Sequence, residues 1–367
     1  MRKHSRVQSK RKPSPKAGRT SKQWIGIDLG DRWSEICVLS DAGEPTERAR
    51  VRTTPQALEE FFAPFAGAEA AVETGTDSSW VSRTLGECGL TVTVANAREV
   101  RKIHQSHRKN DRADAEILAR LLRFDPQLLA PILHRSAQMQ DDVAVLRARD
   151  TLIRSRTMCI NSVRGLVKTH GFRLAKCDSD SFAKRAAEQI PLPLQPALTP
   201  LLTTIAALTA QIRAYDKHLE TLASECYAET ALLTQVTGVG TLTALAYVLT
   251  LASPQRFSHS RDVGPYLGLV PRQYDSGDQR SQLPISKAGN KYLRRLLVGS
   301  AHYILGPFGP DCTLRRYGQR LVQHGGANAK KRALVAVARK LAILLHHLWA
   351  TGAVYDPFYS APGEIAA

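Results

Sequence analysis

Four acidic side chains stand where folding could bring them to one site. Asp28 ends one apolar segment and Glu73 ends another, while Asp111 and Asp114 are three residues apart. Residues with that spacing share one face of a helix. Clustered carboxylates need a compensating cation, and their oxygen atoms suit Mg²⁺. Such a set can hold two magnesium ions about 4 Å apart across a phosphodiester.

Each acid taken alone also has a structural explanation. Acidic residues favour the start of a helix, so Asp111 and Asp114 could be first-turn residues below an Asn110 cap. A lone aspartate at a strand end, as at Asp28, is commonly a turn former. The metal interpretation therefore depends on all four acids converging.

A second candidate group combines a hydroxyl with guanidinium groups. Ser276 precedes Gly277 in a segment that also contains Arg272 and Arg280. A serine that attacks a DNA phosphate needs nearby guanidinium groups to neutralise the transition state, and a base or metal to take its proton. Serines beside glycine are also ordinary turn residues, so both interpretations stay open.

Composition indicates the kind of partner. The 367 residues carry a net charge of +18 with a pI near 9.9, which favours a polyanion. An anionic membrane would also attract this charge. We expect nucleic acid and no membrane, because we find no lipidation motif, signal peptide or apolar run long enough to span a bilayer. The six cysteines form no CxxC pair and are expected to be reduced cytoplasmic thiols.

The elements that must position the acids follow from hydrophobic periodicity. Strands are predicted at 25–28, around 36–38 and at 48–52, with a hairpin at 41–44. Helix and strand then alternate up to the helix that contains Asp111. This order is typical of a ribonuclease-H-like (RuvC-like) mixed sheet, although other α/β folds share it. The alternating elements are helices 55–65 and 79–88 and strands 68–72 and 90–94.

The remainder reads as mainly helical. Long amphipathic helices at 138–167 and 201–222, separated by a Pro-rich break at 191–196, predict a coiled-coil hairpin. Such a hairpin serves either dimerisation or an internal core. Further helices are predicted at 242–251, 291–305 and 329–348, with a basic Gly- and Ser-rich loop from 272 to 291.

We expect five segments along the chain. They are a flexible basic arm at 1–22, a RuvC-like catalytic domain at 23–135, a helical coiled-coil linker at 136–225, a C-terminal domain at 226–355 and a tail at 356–367. The C-terminal domain opens with Gly238 and Gly240 ahead of a helix, which resembles a phosphate-binding helix-hairpin-helix element. A glycine pair alone is a weak signal.

Six short segments, in order, resemble the transposases of the insertion-sequence one-ten group, relatives of the Piv DNA invertase. The resemblance spans about residues 24–350 and leaves the basic arm outside. The segments are residues 25–28 (IGID), 72–75 (VETG), 110–115 (NDRADA), 236–240 (VTGVG), 268–272 (GLVPR) and 285–295 (ISKAGNKYLRR).

This resemblance implies a recombinase guided by a noncoding bridge RNA that pairs with donor and target double-stranded DNA. It implies a DEDD magnesium site at Asp28, Glu73, Asp111 and Asp114, and a nucleophile at Ser276 that forms a transient serine–DNA linkage. It also implies a serine transposase domain, and a tetramer of two dimers whose active sites combine one protomer's acids with another's serine. The expected location is the prokaryotic cytosol, in association with the nucleoid.

The chain departs from some relatives at the nucleophile. Asp275 and Asp278 flank the Ser276 segment and place extra negative charge near an incoming phosphate. Ser281 and Ser286 therefore remain lesser candidates, with Ser286 interpreted as a helix-capping or phosphate-contacting residue.

Nucleic-acid contacts are expected mainly from basic and glycine residues of the C-terminal domain. Three other functions stay open: a hydrolytic RuvC-like nuclease or junction resolvase, an actin-like ATP-binding kinase, and a non-catalytic RNA-binding scaffold. The expected contact residues are Gly238, Gly240, Arg272, Arg280, Lys287, Lys291, Arg294 and Arg295.

Overall fold

A computed structural model describes residues 22–97, 99–100, 111–276 and 279–358, and for 274–276 and 279–282 it describes the backbone alone. The chain divides into two compact units, one up to Arg135 and one from Ser136. Apart from Lys22, the basic arm at 1–22 lies outside the described residues, as do 359–367 of the tail.

A mixed five-stranded sheet forms the centre of the first unit, as the sequence predicts. Its strands are β1 (Trp24–Asp28), β2 (Trp33–Leu39), β3 (Pro45–Arg52), β4 (Glu69–Glu73) and β5 (Thr91–Ala95). They lie in the order β3-β2-β1-β4-β5. β2 is antiparallel to β1 and β3, whereas β4 is parallel to β1 and β5.

Helices cover both faces of this sheet because buried residues alternate along its strands. Ile25 and Ile27 of β1 face a core formed with α1 (Pro55–Phe62) and α2 (Ser78–Glu87). Trp24 of β1 points the other way, into a core formed with α3 (Asp111–Phe124). The helix that carries two of the candidate acids therefore lies on the Trp24 face.

Two long helices begin the second unit. α4 (Ala137–Thr169) packs against α6 (Gln195–Cys226), and the short α5 (Phe182–Ala187) closes one end of the pair. The Pro-rich break is in fact a 3-10 helix, Leu192–Leu194, followed at once by α6. Pro196 is tolerated there because the first turn of a helix needs no N–H donor from it. The sequence-based start of this helix at 201 is thus six residues late.

The rest of the second unit is a helical core with one hairpin. Tyr247 is fully buried and donates its hydroxyl to Ala342 O at 2.6 Å, which joins two central helices. The helices are α7 (Glu229–Leu233), α8 (Thr241–Leu251), α9 (Val263–Tyr266), α10 (Lys291–Leu305), α11 (Thr313–Gln323) and α12 (Ala329–Thr351).

Two sequence-based expectations about this unit were wrong. The basic segment predicted as a loop forms a hairpin of β6 (Pro271–Ser276) and β7 (Gln279–Ile285). The sequence did not indicate this pairing because the segment is rich in Gly and Ser. The second expectation was that no apolar run is long enough to span a bilayer. Two helical stretches, Leu192–Cys226 and Ala329–Thr351, are long and apolar enough by length and composition alone. Core packing explains the second stretch, because Val337, Leu341 and Leu345 are fully buried.

Candidate active site

Three of the predicted acids meet on the first unit. One carboxylate oxygen from each of Asp28, Asp111 and Asp114 lies within 4.8 Å of the other two. Asp111 is exposed, while Asp28 and Asp114 are half-buried, so the cluster opens to solvent. An oxygen-only donor set of this kind fits a hard divalent cation such as Mg²⁺.

A close backbone contact between β1 and α3 brings the acids together. A Cβ placed on Gly26 would lie 1.9 Å from the backbone oxygen of Ala115 and 2.5 Å from the nitrogen of Ala119. Ala115 and Ala119 are fully buried, so small residues on both sides let α3 rest directly on the strand. Asp28 follows Gly26 by two residues, and Asp114 precedes Ala115, so the contact sets their separation.

Glu73 lies on the same sheet face but outside the tight cluster. In the parallel pairing of β1 with β4, Ile27 is opposite Val72, so the next pair along the strands is Asp28 and Glu73. Ala71, two residues before Glu73, packs in the core beneath α3, which places Glu73 on that face. Among the described residues, the group of mutually close acids contains Asp28, Asp111 and Asp114 but not Glu73.

Hydrogen bonds fix the end of β4 beyond Glu73. The Thr74 hydroxyl donates to Ala95 O at 2.5 Å and accepts from Ala97 N at 3.2 Å. Ser78 donates its hydroxyl to Gly75 O at 2.9 Å and thereby closes the turn that leads into α2. These bonds hold together the carboxyl ends of β4 and β5. The sequence analysis gave no role to Thr74 or Ser78.

Basic side chains border the cluster on the β2–β3 side. Glu35, opposite Asp28 on β2, forms an ion pair with Arg50 at 3.2 Å and lies 3.6 Å from the Arg112 guanidinium. Arg48 pairs with Glu116 on α3 at 2.5 Å. The acids therefore sit beside a strand rich in guanidinium groups, where an anionic substrate would meet positive charge on its way to the cluster.

A buried thiol lies below the same helix. Cys37 pairs with Gly26 across β1 and β2 and is 1% exposed in the core under α3. Burial, with a smaller contribution from the Glu116 carboxylate, raises the pKa of the Cys37 thiol above its ordinary value. This thiol is accordingly protonated and sheltered as long as α3 stays seated on the sheet.

In the second unit, Ser276 is the last residue of β6. Its backbone pairs with Gln279 of β7, while its side chain and those of Arg280 and Ser281 lie outside what the structure describes. Gly277 and Asp278 are likewise outside the described residues. The hairpin thus carries the predicted nucleophile at its tip, on a short two-stranded ribbon.

The base of this hairpin is clamped by backbone contact. Gly268 and Gly289 both have positive φ, and a Cβ on Gly268 would lie 2.3 Å from Ala288 N. Arg294 donates to Leu267 O at 2.8 Å and to Ala288 O at 2.6 Å, so it joins the two chain segments that cross there. Burial lowers the pKa of the Arg294 guanidinium. Arg294, predicted as a nucleic-acid contact, holds the hairpin base.

The remaining predicted contact residues have varied surroundings. Arg272, Lys287 and Lys291 are exposed, and Arg295 is exposed but paired with Asp150. Ser286 is not the cap of α10. That cap is Asn290, whose side chain accepts from Tyr292 N at 2.9 Å and from Leu293 N at 3.0 Å.

The glycine pair borders a shallow pocket at the start of α8. Gly240 is the residue before the helix, and the pocket, of about 530 Å³, is also lined by Arg295 and Ser300. Backbone N–H groups of a helix start next to a guanidinium suit a phosphate.

Comparison with known proteins places both units among transposases. The family model for the DEDD domain of IS110 transposases, described as "Transposase", matches residues 25–171. A second model, described as "Transposase IS116/IS110/IS902 family", matches residues 230–310. The first match contains all four candidate acids, and the second contains the hairpin and the glycine pair.

Individual relatives match most of the chain. The transposase for insertion sequence element IS1328 of Yersinia enterocolitica is 31% identical over 285 residues, covering 76% of this chain and 82% of that protein. The transposase for insertion sequence element IS1111A of Coxiella burnetii is 29% identical over 338 residues, covering 88% of each. A probable family 20 transposase of Pseudomonas aeruginosa is 29% identical and covers 91% of this chain and 98% of that protein.

Proposed function

The chain belongs to the IS110 family of transposases and is a DNA transposase, and we propose that it is an RNA-guided recombinase of mobile DNA. In this proposal a structured noncoding RNA of the bridge type pairs with donor and target double-stranded DNA. The protein then cuts and rejoins the selected strands. The observation that carries the catalytic part is the convergence of Asp28, Asp111 and Asp114 within 4.8 Å.

The carboxylates form the metal half of the proposed active site. Asp28, Asp111 and Asp114 would hold Mg²⁺, with Glu73 joining them from the neighbouring strand once the charge of the ion draws its side chain in. Mg²⁺ supplies charge neutralisation at the phosphate and lowers the pKa of an attacking hydroxyl. The strand order, with a three-stranded antiparallel half and a parallel half, supports a ribonuclease-H-like catalytic domain at 23–135.

Ser276 is the proposed nucleophile. Its hydroxyl oxygen bonds to phosphorus as the bond from phosphorus to a deoxyribose oxygen breaks, and the serine proton ends on that departing oxygen. The linkage conserves the energy of the phosphodiester, so a hydroxyl of the partner strand can displace the serine and restore the DNA backbone without ATP.

The rest of the chain would assemble the complex. We assign 136–225 to a coiled-coil linker that pairs protomers, and 226–355 to a serine transposase domain, with the arm at 1–22 and the tail at 356–367 at the ends. A dimer or tetramer would combine one protomer's acids with another's serine, in the prokaryotic cytosol at the nucleoid. Phosphate contacts would come from Gly238, Gly240, Arg272, Arg280, Lys287, Lys291 and Arg295, with Arg294 holding the loop that presents them.

The test uses the purified full-length protein with its element's RNA and DNA. We expect a protein–DNA adduct on a denaturing gel in Mg²⁺, and we expect Ser276→Ala to remove it while RNA binding persists. Asp28→Ala should abolish strand exchange and also retain RNA binding.

Three results would redirect the proposal. An adduct that survives in Ser276→Ala moves the nucleophile to another hydroxyl. Cleavage without any adduct identifies a hydrolytic nuclease that uses the acids alone. Normal exchange by Asp28→Ala removes the carboxylates from the chemistry.

A further inference from the structure

An exposed tryptophan lies next to the carboxylate cluster. Trp33 opens β2 with 41% of its surface exposed, and it packs in neither core of the first unit. Large aromatic side chains gain stability from burial, and 41% of this one remains accessible to a ligand.

Strand pairing places Trp33 on the side of the sheet that carries the acids. Asp28 is opposite Glu35, and Trp33 precedes Glu35 by two residues on the same strand. Trp33 is therefore a diagonal neighbour of Asp28 on one face, at a spacing of about 7–8 Å.

Guanidinium groups surround the ring. Arg50 and Arg52 of β3 lie over the indole with their central carbons 5.4 and 5.2 Å from the ring centroid. Arg50 also pairs with Glu35. In the described part of the chain, Arg52 takes part in no ion pair, so its charge is available to an incoming anion.

The arginines of β3 extend this positive charge along the edge of the sheet. β3 is an outer strand, and Arg48, Arg50 and Arg52 alternate along it, so they share the face of Trp33 and Asp28. A flat aromatic ring within a row of guanidinium groups suits a single nucleic-acid strand, whose bases stack while its phosphates are neutralised.

We propose that Trp33, flanked by Arg50 and Arg52, is a stacking platform for an unpaired base of the DNA strand that enters the carboxylate site. The inference rests on the proposed function for its choice of DNA, because the acids one diagonal away would act on a DNA phosphate. Arg52 turns from the ring to a phosphate of that strand as the base takes its place. The platform holds the unpaired strand next to the reactive phosphate.

Binding of the full-length protein to a fluorescently labelled mixed-sequence DNA oligonucleotide, without guide RNA and with EDTA present, tests the proposal. Trp33→Ala and Trp33→Leu should weaken single-strand binding roughly 5- to 150-fold, the range for loss of one base–aromatic contact. Trp33→Phe keeps a π face and should stay within about 3-fold of the wild type. Phe124→Ala, which removes another exposed ring of the same unit, should change nothing.

Two further readouts locate the effect. The single strand should quench the tryptophan emission of the wild type, and that quenching should disappear in Trp33→Phe. Affinity for the matching duplex should change less than about 2-fold in Trp33→Ala, because paired bases are not free to stack on the ring.

Several outcomes overturn the inference. One is quenching in Trp33→Phe that equals that of the wild type. Another is an equal loss of affinity for single strand and duplex in Trp33→Ala. The third is a Trp33→Ala binding defect with single-stranded RNA but not with single-stranded DNA. Because these measurements need no metal and no cleavage, they are independent of the Asp28→Ala test. If the Trp33 variants bind normally, the proposed role of the carboxylates is unaffected. If Asp28→Ala exchanges strands normally, the measured role of Trp33 in binding is unaffected.

Discussion

The two candidate reaction centres are supported in opposite ways. The carboxylate cluster lies over a sheet, where fully buried small residues let α3 contact β1 backbone to backbone. The serine lies at the end of a two-stranded ribbon, and Arg294 anchors that ribbon at its base. A metal site needs fixed ligand separations, whereas a nucleophile that attaches to a strand and is later displaced gains from local mobility.

The comparison predicts that single changes in the rigid centre have the largest effects. Asp114→Asn removes one of three clustered carboxylates. It should lower strand exchange by more than about 100-fold, the upper range for loss of a residue that only supports a metal ligand. Added Mg²⁺ should stabilise the wild type by about 1.4 kcal/mol at ten times its dissociation constant, and the variant much less.

Thermal unfolding with and without Mg²⁺ measures this difference. In EDTA, Asp114→Asn should unfold no earlier than the wild type, because it relieves repulsion among three close carboxylates. Equal Mg²⁺ stabilisation of both proteins would mean that the cluster does not hold the ion.

A smaller but still large effect is expected where the helix meets the strand. Gly26→Ala puts a methyl group into the backbone of α3 and should destabilise the first unit by about 1–3 kcal/mol or more. Gly86→Ala, in α2 with open space around it, is the matched control and should be neutral or stabilising by about 0.5–1 kcal/mol.

Cys37 reports on the same contact. In a Cys226→Ser background, which removes the exposed thiol, Gly26→Ala should speed the reaction of Cys37 with a thiol reagent, because α3 no longer covers it. Slow Cys37 labelling together with unchanged stability in Gly26→Ala would show that the sheet and helix adapt to the methyl group, contrary to the rigid-centre interpretation.

The most local effect should be confined to the hairpin, where it changes the local opening of β6 and β7 and not the unfolding of a whole unit. Arg294→Met removes two hydrogen bonds to backbone carbonyls, and bonds to charged donors contribute about 1.5–3 kcal/mol. We expect faster hydrogen exchange of the β6 and β7 amides without loss of the helical core. Lys291→Met, an exposed change three residues earlier on α10, is the control, and matching exchange in the two variants would argue against the clamp.

Alternating buried positions made the first unit predictable. The β1 segment, the hairpin at 41–44 and the helix with Asp111 all follow from local periodicity and turn residues, and the resemblance indicated which acids converge. Spacing could not show that Glu73 stands apart from the tight cluster, because that depends on side-chain direction across two strands.

The second unit was harder to predict because its contacts are long-range. The β6–β7 strands contain turn-forming residues, so their pairing is visible only in the fold. The charge of Arg294 predicts a nucleic-acid contact, and that stays a prediction. Its hydrogen bonds to two carbonyl oxygens, 27 and 6 residues away, are visible only in the fold. Trp33 gave no signal because exposure cannot be read from a strand's first residue.

The absence of a side chain at Gly26 also bears on how this enzyme can change over time. Because β1 and α3 meet through main-chain atoms, replacing one apolar side chain by another cannot adjust the distance between them. Substitutions elsewhere can accumulate, but the spacing between Asp28 and the carboxylates of α3 stays tied to this main-chain contact.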